Sequence, residues 1–309
     1  MFMFENKITI ESRAVIDEYL DSFEYKASGL SFTSLYMWRD INQFSWQPIG
    51  DYLCIAGISH LELDKQEAFL FPPLTKTGAY EAEGLRKSIL GAKAIFEEKG
   101  QKFNIRLLPK HMLGIIETAF PGEFIFLEDR ANYDYVYLTK DLIKLSGRKY
   151  HAKRNHLNHF LSHYDYEYRP MTSDMAEEAM NFIRQFNMRK EASDYEKGLL
   201  LLEENAMEDV LKNLERGGYL SGAIFIGGEM QALSIGGPLG SKTVTVHVEK
   251  ANTDYRGSYQ AINNEFCRHM APHVKYINRE EDMDIMGLRE AKLSYRPVKF
   301  IEKYFAVFK

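Results

Sequence analysis

The chain has 309 residues, 45% of them hydrophobic and 27% charged, with a net charge of −5. That is material for about two ordinary domains with globular cores, and the acidic balance excludes a wholesale nucleic-acid-coating protein while allowing a local basic patch. Only two cysteines occur, Cys54 and Cys267, with no C-x-x-C pair, so a disulfide scaffold or a zinc ribbon does not fit and a reducing cytoplasm does.

The opening MFMFENKITI has neither a basic n-region nor a long apolar segment, so no signal peptide is expected. No apolar run approaches the ~18–20 residues of a spanning helix. The expectation is a soluble, cytoplasmic protein without a transmembrane segment.

KITI reads as a short strand. SRAVIDEYLDSF reads as a helix with Val15, Ile16, Tyr19, Leu20 and Phe23 on one face and Ser12 as its N-cap. SFTSLYMWRD is a second helix, and QFSWQPI, YLCIAGI and EAFLFPP are strand-like. A long helix over 82–99, closed by Gly100, leads to the strand FNIRLL, a helix near HMLGIIETAF, and strands at EFIFL and YDYVYL.

After the segment 145–160, YEYRPM is a strand. Ser173 is placed to cap a helix with Asp174, Glu177 and Glu178 in its first turn and Arg189 and Lys190 at its end, as the macrodipole prefers. A second helix spans roughly 196–216. Three strands follow, GYLSGAIFI, EMQALSIGG and KTVTVHVEKA, then a helix over 258–270, the strand VKYIN, the helix GLREAKLSY and a strand KFIEKYFAVF. One order of elements is thus met twice: strand, two helices, three strands, helix, strand, helix, strand. Each half should hold a mixed sheet, an antiparallel meander joined to a parallel pair by a crossover helix.

Three stretches could carry chemistry. In VHVEKANTDYRGSYQAINNEF a strand enters a helix through a polar turn. The first amides of that helix and its dipole suit an anion; Gly257 permits close backbone approach and Arg256 a charge-assisted bond. A plain strand-to-helix turn gives the same sequence. In LSGRKYHAKRNHLNHF and the residue before it, Lys144, Arg148, Lys149, Lys153 and Arg154 cluster with no acidic residue between Asp141 and Asp165. This is either a solvated helix face or a patch for a phosphate-bearing ligand. His159 and His163, spaced i, i+4, could ligate a metal, but no cysteine or carboxylate lies between Asp141 and Asp165, and no metal is expected. In NREEDMDIMGLREAKLSYRPVKF, Glu280, Glu281, Asp282 and Asp284 precede a helix. They either stabilise its N-terminus or line a pocket for an ammonium group.

The repeated order resembles the N-acetyltransferase (GNAT) fold. The segments LSGRKYHAKRNHLNHF, EKANTDYRGSYQAINNEFCRH and NREEDMDIMGLREAKLSYRP, in that order, are similar to the bacterial family related to the C-terminal catalytic domain of phosphatidylglycerol lysyltransferase. The resemblance covers nearly the whole chain and implies an α/β fold of two tandem GNAT-like domains, 1–140 and 141–309, the second carrying the donor site. It implies transfer of an acyl or aminoacyl group from coenzyme A or aminoacyl-tRNA to an amine or hydroxyl on a small molecule, peptide or lipid headgroup. A catalytically silent binding module is the alternative. On this resemblance the backbone of Val246, His247 and Val248 lies along the donor, and Tyr255, Arg256, Gly257, Ser258, Tyr259 and Gln260 hold its phosphates, with Asn278 beside them. The turn departs from the acetyltransferase pattern, with Asp254 at the basic position and Tyr259 at the second small one. Glu249 is the candidate general base or a strand-end carboxylate. Lys292 and Tyr295, i, i+3 on the last helix, are candidates for balancing charge at the leaving group and protonating it, or are packing residues. Arg148, Lys149, Lys153 and Arg154 are candidates for tRNA, and Glu281 and Asp282 for substrate.

Overall fold

The computed structural model describes residues 2–22, 27–62, 65–189 and 194–309. Phe23 and Lys190, expected on two helices, lie outside them. The chain begins with β1 (Asn6–Lys7), α1 (Arg13–Leu20), α2 (Phe32–Met37), β2 (Ser45–Ile49), β3 (Tyr52–Glu62) and β4 (Lys65–Leu70). It continues with β5 (Leu74–Thr75), α3 (Ala82–Glu98), β6 (Asn104–Pro109), α4 (Lys110–Ala119) and β7 (Phe124–Glu128). Next come β8 (Asp134–Leu138), α5 (Thr139–Lys144), α6 (His151–His163), β9 (Tyr166–Pro170), α7 (Ala176–Met188), α8 (Asp194–Lys212) and α9 (Leu214–Gly217). The meander β10 (Leu220–Ile226), β11 (Glu229–Pro238) and β12 (Thr243–Ala251) leads to α10 (Ser258–His269), β13 (Tyr276–Asn278), α11 (Met286–Ser294), β14 (Lys299–Ile301) and β15 (Lys303–Phe308).

The elements form two mixed sheets, ordered β1-β2-β3-β4-β6-β15-β7, with β5 on β3, and β14-β8-β13-β12-β11-β10-β9. Each contains the expected parallel pair across a crossover helix: β4 with β6 around α3, and β12 with β13 around α10. The long α3 buries Leu85, Ile89, Ala92 and Phe96 at helical spacing and ends where Gly100 takes a positive φ of 68°.

Several local expectations give way. Val15 is exposed while Ile16 and Tyr19 are buried. The Ser12 hydroxyl receives the Thr9 amide instead of an amide of α1, and Ser173 binds the Glu215 carboxylate through its amide and hydroxyl. In both cases a one-turn 3₁₀ segment precedes the α-helix and takes over the capping group. KFIEKYFAVF, expected as one strand, is two. β14 belongs to the second sheet and β15 to the first, where it lies between β6 and β7 with Lys303 opposite Pro109 and Phe305 opposite Leu127. YDYVYL, expected to close the first half, is β8 and pairs with β13.

The compact units are therefore not contiguous halves. Unit 1 comprises Met1–Asp134, Glu281–Asp284 and Ile301–Lys309; unit 2 comprises Tyr135–Glu280 and Ile285–Phe300. The division into 1–140 and 141–309 missed this because strand exchange leaves no local composition signal. Inside unit 1, Lys303 (1% exposed) donates to the fully buried Asp134 at 2.5 Å, and Asp134 also receives the amide and hydroxyl of Ser28. No helix among the described residues is long and apolar enough to cross a membrane.

Candidate active site

The site lies in unit 2, where β12 parts from its neighbour. β12 and β13 pair only over Thr243–Thr245. On the opposite edge Val248 faces Ile235 and Val246 faces Gly236, so His247 is the extra residue of a β-bulge. Past Thr245 the strand carries Val246, His247 and Val248 along an edge that no longer pairs with β13, leaving backbone groups that an extended ligand can bind. The bulge sends the His247 side chain to Glu280, Nδ1 standing 2.8 Å from Oε1. The Asn278 side chain accepts the Glu280 amide and holds that loop.

Two residues beyond the bulge, Glu249 meets Arg279 at 2.8 Å, and its second oxygen accepts from the Asn263 amide at 3.1 Å. The side chains are 9% and 14% exposed. The Arg279 guanidinium stands 5.0 Å from the centre of the Tyr295 ring, and the Lys153 ammonium 4.5 Å from the same ring. Lys292 donates to the Arg279 carbonyl at 2.5 Å, and the Lys292 carbonyl accepts from the Tyr137 hydroxyl at 2.8 Å. The sequence gives this arrangement by spacing: Lys292 and Tyr295 share one face of α11 and its C-terminus, and Gln260 and Asn263 one face of α10.

The electrostatics follow from burial. Burial raises Tyr295 far above the ordinary tyrosine range, although Arg279 opposes the shift, so the phenol stays protonated at neutral pH. The Gln260 side chain lies near enough to the phenol to oppose that shift slightly. Lys153 is lowered, first by burial and then by Arg279. Burial opposes the charge of Arg279, yet Glu249 and then Tyr137 outweigh it, and the guanidinium stays charged. Cys267, buried nearby, is pushed up to about 12 by desolvation and is inert as a nucleophile.

The structure thus brings Glu249, Lys292 and Tyr295 together, but both carboxylate oxygens of Glu249 are already engaged. The turn 255–260 is less open than its sequence suggests. The amides of Asp254, Tyr255 and Ser258 bond within the turn, and the Arg256 amide donates to the Tyr164 hydroxyl. Gly257 has φ 94°, and a Cβ there would stand 2.2 Å from the His156 carbonyl. The glycine is needed for the close approach of α10 to α6. The Tyr259 side chain is half-buried and feels Glu249.

The residues of the basic cluster have different partners. Arg154 braces the carbonyls of Leu145 and Gly147, Lys149 pairs with Asp141, Lys153 turns toward Tyr295, and Arg148 is exposed. His159 and His163 stack at 4.0 Å, and no group of side chains suited to a metal occurs among the described residues. Glu281 and Asp282 belong to unit 1, where they pair with Lys303 and Arg130. Sequence reasoning missed Arg279, Asn263 and the inward course of Lys153. The one available signal was Arg279 itself, a lone cation at a strand end between Asn278 and Glu280.

Comparison with known proteins places this geometry. The chain is similar to a conserved protein of unknown function from Bacteroides thetaiotaomicron VPI-5482, with 33% identity, full coverage of both chains and a TM-score of 0.86. It is similar in fold to L-PGS from Bacillus licheniformis, with 14% identity over 99% of this chain and 94% of that one and a TM-score of 0.67. It also shares the fold of a tandem GNAT protein from the clavulanic acid biosynthesis pathway, with 8% identity over 97% and 96% of the chains and a TM-score of 0.50. An uncharacterised protein of Mycoplasmoides gallisepticum, MYCGA3080, is 25% identical over 175 residues, 55% of this chain; the chain spans about half the length of that curated relative, 54%. The family model for the C-terminal region of phosphatidylglycerol lysyltransferase matches residues 21–307. Two mixed sheets with tandem GNAT architecture and that match agree, and the chain belongs to the family of the phosphatidylglycerol lysyltransferase C-terminal domain.

Proposed function

We propose that unit 2 transfers an acyl or aminoacyl group from an activated ester or thioester to an amine or hydroxyl. The observation that carries this reading is the parting of β12 from β13 before the His247 bulge, on a strand whose Glu249 holds Arg279 5.0 Å from the ring of a buried, protonated phenol. The donor chain lies along the free edge of Val246–Val248, which orients its carbonyl. The acceptor nitrogen or oxygen bonds to the carbonyl carbon and loses its proton to water, and the bond from that carbon to the leaving oxygen or sulfur breaks. Tyr295 gives its proton to the leaving atom and recovers one from solvent. Lys153 and Arg279 put positive charge beside Tyr295 and stabilise the phenolate while it lasts. Glu249 and Asn263 fix Arg279, and Lys292 fixes the backbone that carries it.

Coenzyme A and aminoacyl-tRNA remain the two donor classes. The amides of Asp254, Tyr255, Arg256 and Ser258 are already engaged, which leaves fewer donors for the diphosphate of coenzyme A and favours an aminoacyl ester. The test is transfer by purified protein from acetyl-coenzyme A and from mixed charged tRNAs to a panel of amines and alcohols. Product from the ester that vanishes in Tyr295→Phe supports the reading; no product from either donor class refutes it.

A further inference from the structure

Away from the cluster around Tyr295, unit 2 holds a cavity of about 730 Å³ between α7, the start of β11 and the turn after β12. Its size is that of a small-molecule pocket. Phe182 and Phe186 reach it from α7, and Tyr164, Tyr255 and Tyr259 from the other side. Tyr164 and Tyr255 meet edge to face at 5.1 Å, which fixes both rings. The charged lining is mostly negative: Glu178, Glu229 and Asp254 against the single Arg189. Arg189 is itself tied to Asp254 and Asn252, each at 2.8 Å. Among the described residues the side chains of Glu178 and Glu229 make neither a hydrogen bond nor an ion pair with another side chain. An anion entering this cavity would meet two carboxylates without a direct partner, Glu178 feeling only the more distant Arg169, and an arginine already paired. A cation would meet those carboxylates and the faces of several rings, both of which attract it.

We propose that this cavity binds organic ammonium ligands, an apolar or aromatic body lying on the rings and a protonated amine directed to Glu178 and Glu229. The site stands on its own lining and does not depend on the transfer reaction.

The full chain is titrated by saturation-transfer NMR with phenethylamine, 3-phenylpropionate and adenosine diphosphate, and again as the Glu178→Gln/Glu229→Gln variant. Both substituted residues are exposed, and circular dichroism checks that the variant is folded. The expected result is saturation of phenethylamine alone, with affinity reduced about tenfold or more in the variant, the loss of a charge-assisted contact. Binding of the carboxylate or the nucleotide at comparable strength, no binding of the amine, or equal binding of the amine by the variant would each overturn the proposal.

Discussion

Asp134 with Lys303 and Glu249 with Arg279 are both carboxylate–cation pairs, each within one compact unit, at 2.5 and 2.8 Å, and they differ in what surrounds them. The pair in unit 1 is sealed: both residues are almost wholly inaccessible, and Ser28 adds two further bonds to the carboxylate. The pair in unit 2 borders a strand edge without a partner, a protonated phenol and a lysine whose charge is disfavoured. A saturated, enclosed pair holds chain segments together, whereas one that adjoins unmet backbone and a shifted titratable group is placed to meet a ligand. The contrast can be broken experimentally.

The largest effect is expected at Tyr295. Tyr295→Phe keeps the ring packed and removes the proton donor, so turnover should fall about 10²–10⁴-fold with donor affinity and melting temperature nearly unchanged. Steady-state kinetics beside a donor titration reads this, and full turnover in the variant would make the unit 2 cluster structural like its counterpart. In unit 1, Lys303→Met leaves Asp134 buried without its cation and should cost about 3–5 kcal/mol of unfolding free energy. Adding Asp134→Leu should restore most of that loss in urea titrations; if it does not, the pair matters beyond charge compensation.

A smaller loss, about 1–3 kcal/mol, is expected for Gly257→Ala, whose Cβ meets the His156 carbonyl and whose φ of 94° suits only glycine. If Gly257→Ala were instead neutral in stability and lost donor binding, the turn would be a ligand cradle after all. Lys153 provides a pH test. Its folded pKa lies below the ordinary 10.5, so between the two values the unfolded chain binds more protons and stability rises with pH. Wild type should therefore gain stability relative to Lys153→Met between pH 7 and pH 10, read as the difference in denaturation midpoints; a flat difference would put Lys153 in solvent. The smallest signal concerns thiols. Burial pushes Cys54 in unit 1 and Cys267 in unit 2 both up to about 12, so neither should react with a disulfide reagent at pH 8 until the protein unfolds. Faster labelling of Cys267 than of Cys54 would show that the unit 2 cluster opens.

Much of the architecture was legible because helix and strand periods are local. α3 with its closing Gly100, the meander β10–β12 and the crossover α10 follow from the spacing of apolar residues and from turn residues. What was not legible depends on pairings far apart in sequence. Nothing in KFIEKYFAVF separates β14 from β15, since both alternate in the same way and only their partners differ. At the site, Lys292 and Tyr295 could be paired from helical spacing, whereas Glu249 and Arg279 are thirty residues apart and meet only because α10 crosses back. The basic residues of α6 read as one patch because composition counts charges and does not record that Lys153 and Arg154 point at different partners.

The place of β15 also bears on how the protein is made. Residues 303–308 fill the gap between β6 and β7 and bring Lys303 to Asp134, yet a ribosome delivers them only after every residue of unit 2. During synthesis the sheet of unit 1 thus waits, with the facing edges of β6 and β7 unpaired and Asp134 without its lysine, while the chain of unit 2 is completed. Most of unit 1 precedes unit 2 in the chain yet closes its sheet last, and in that interval its open strand edges are exposed to wrong pairing and to chaperone capture.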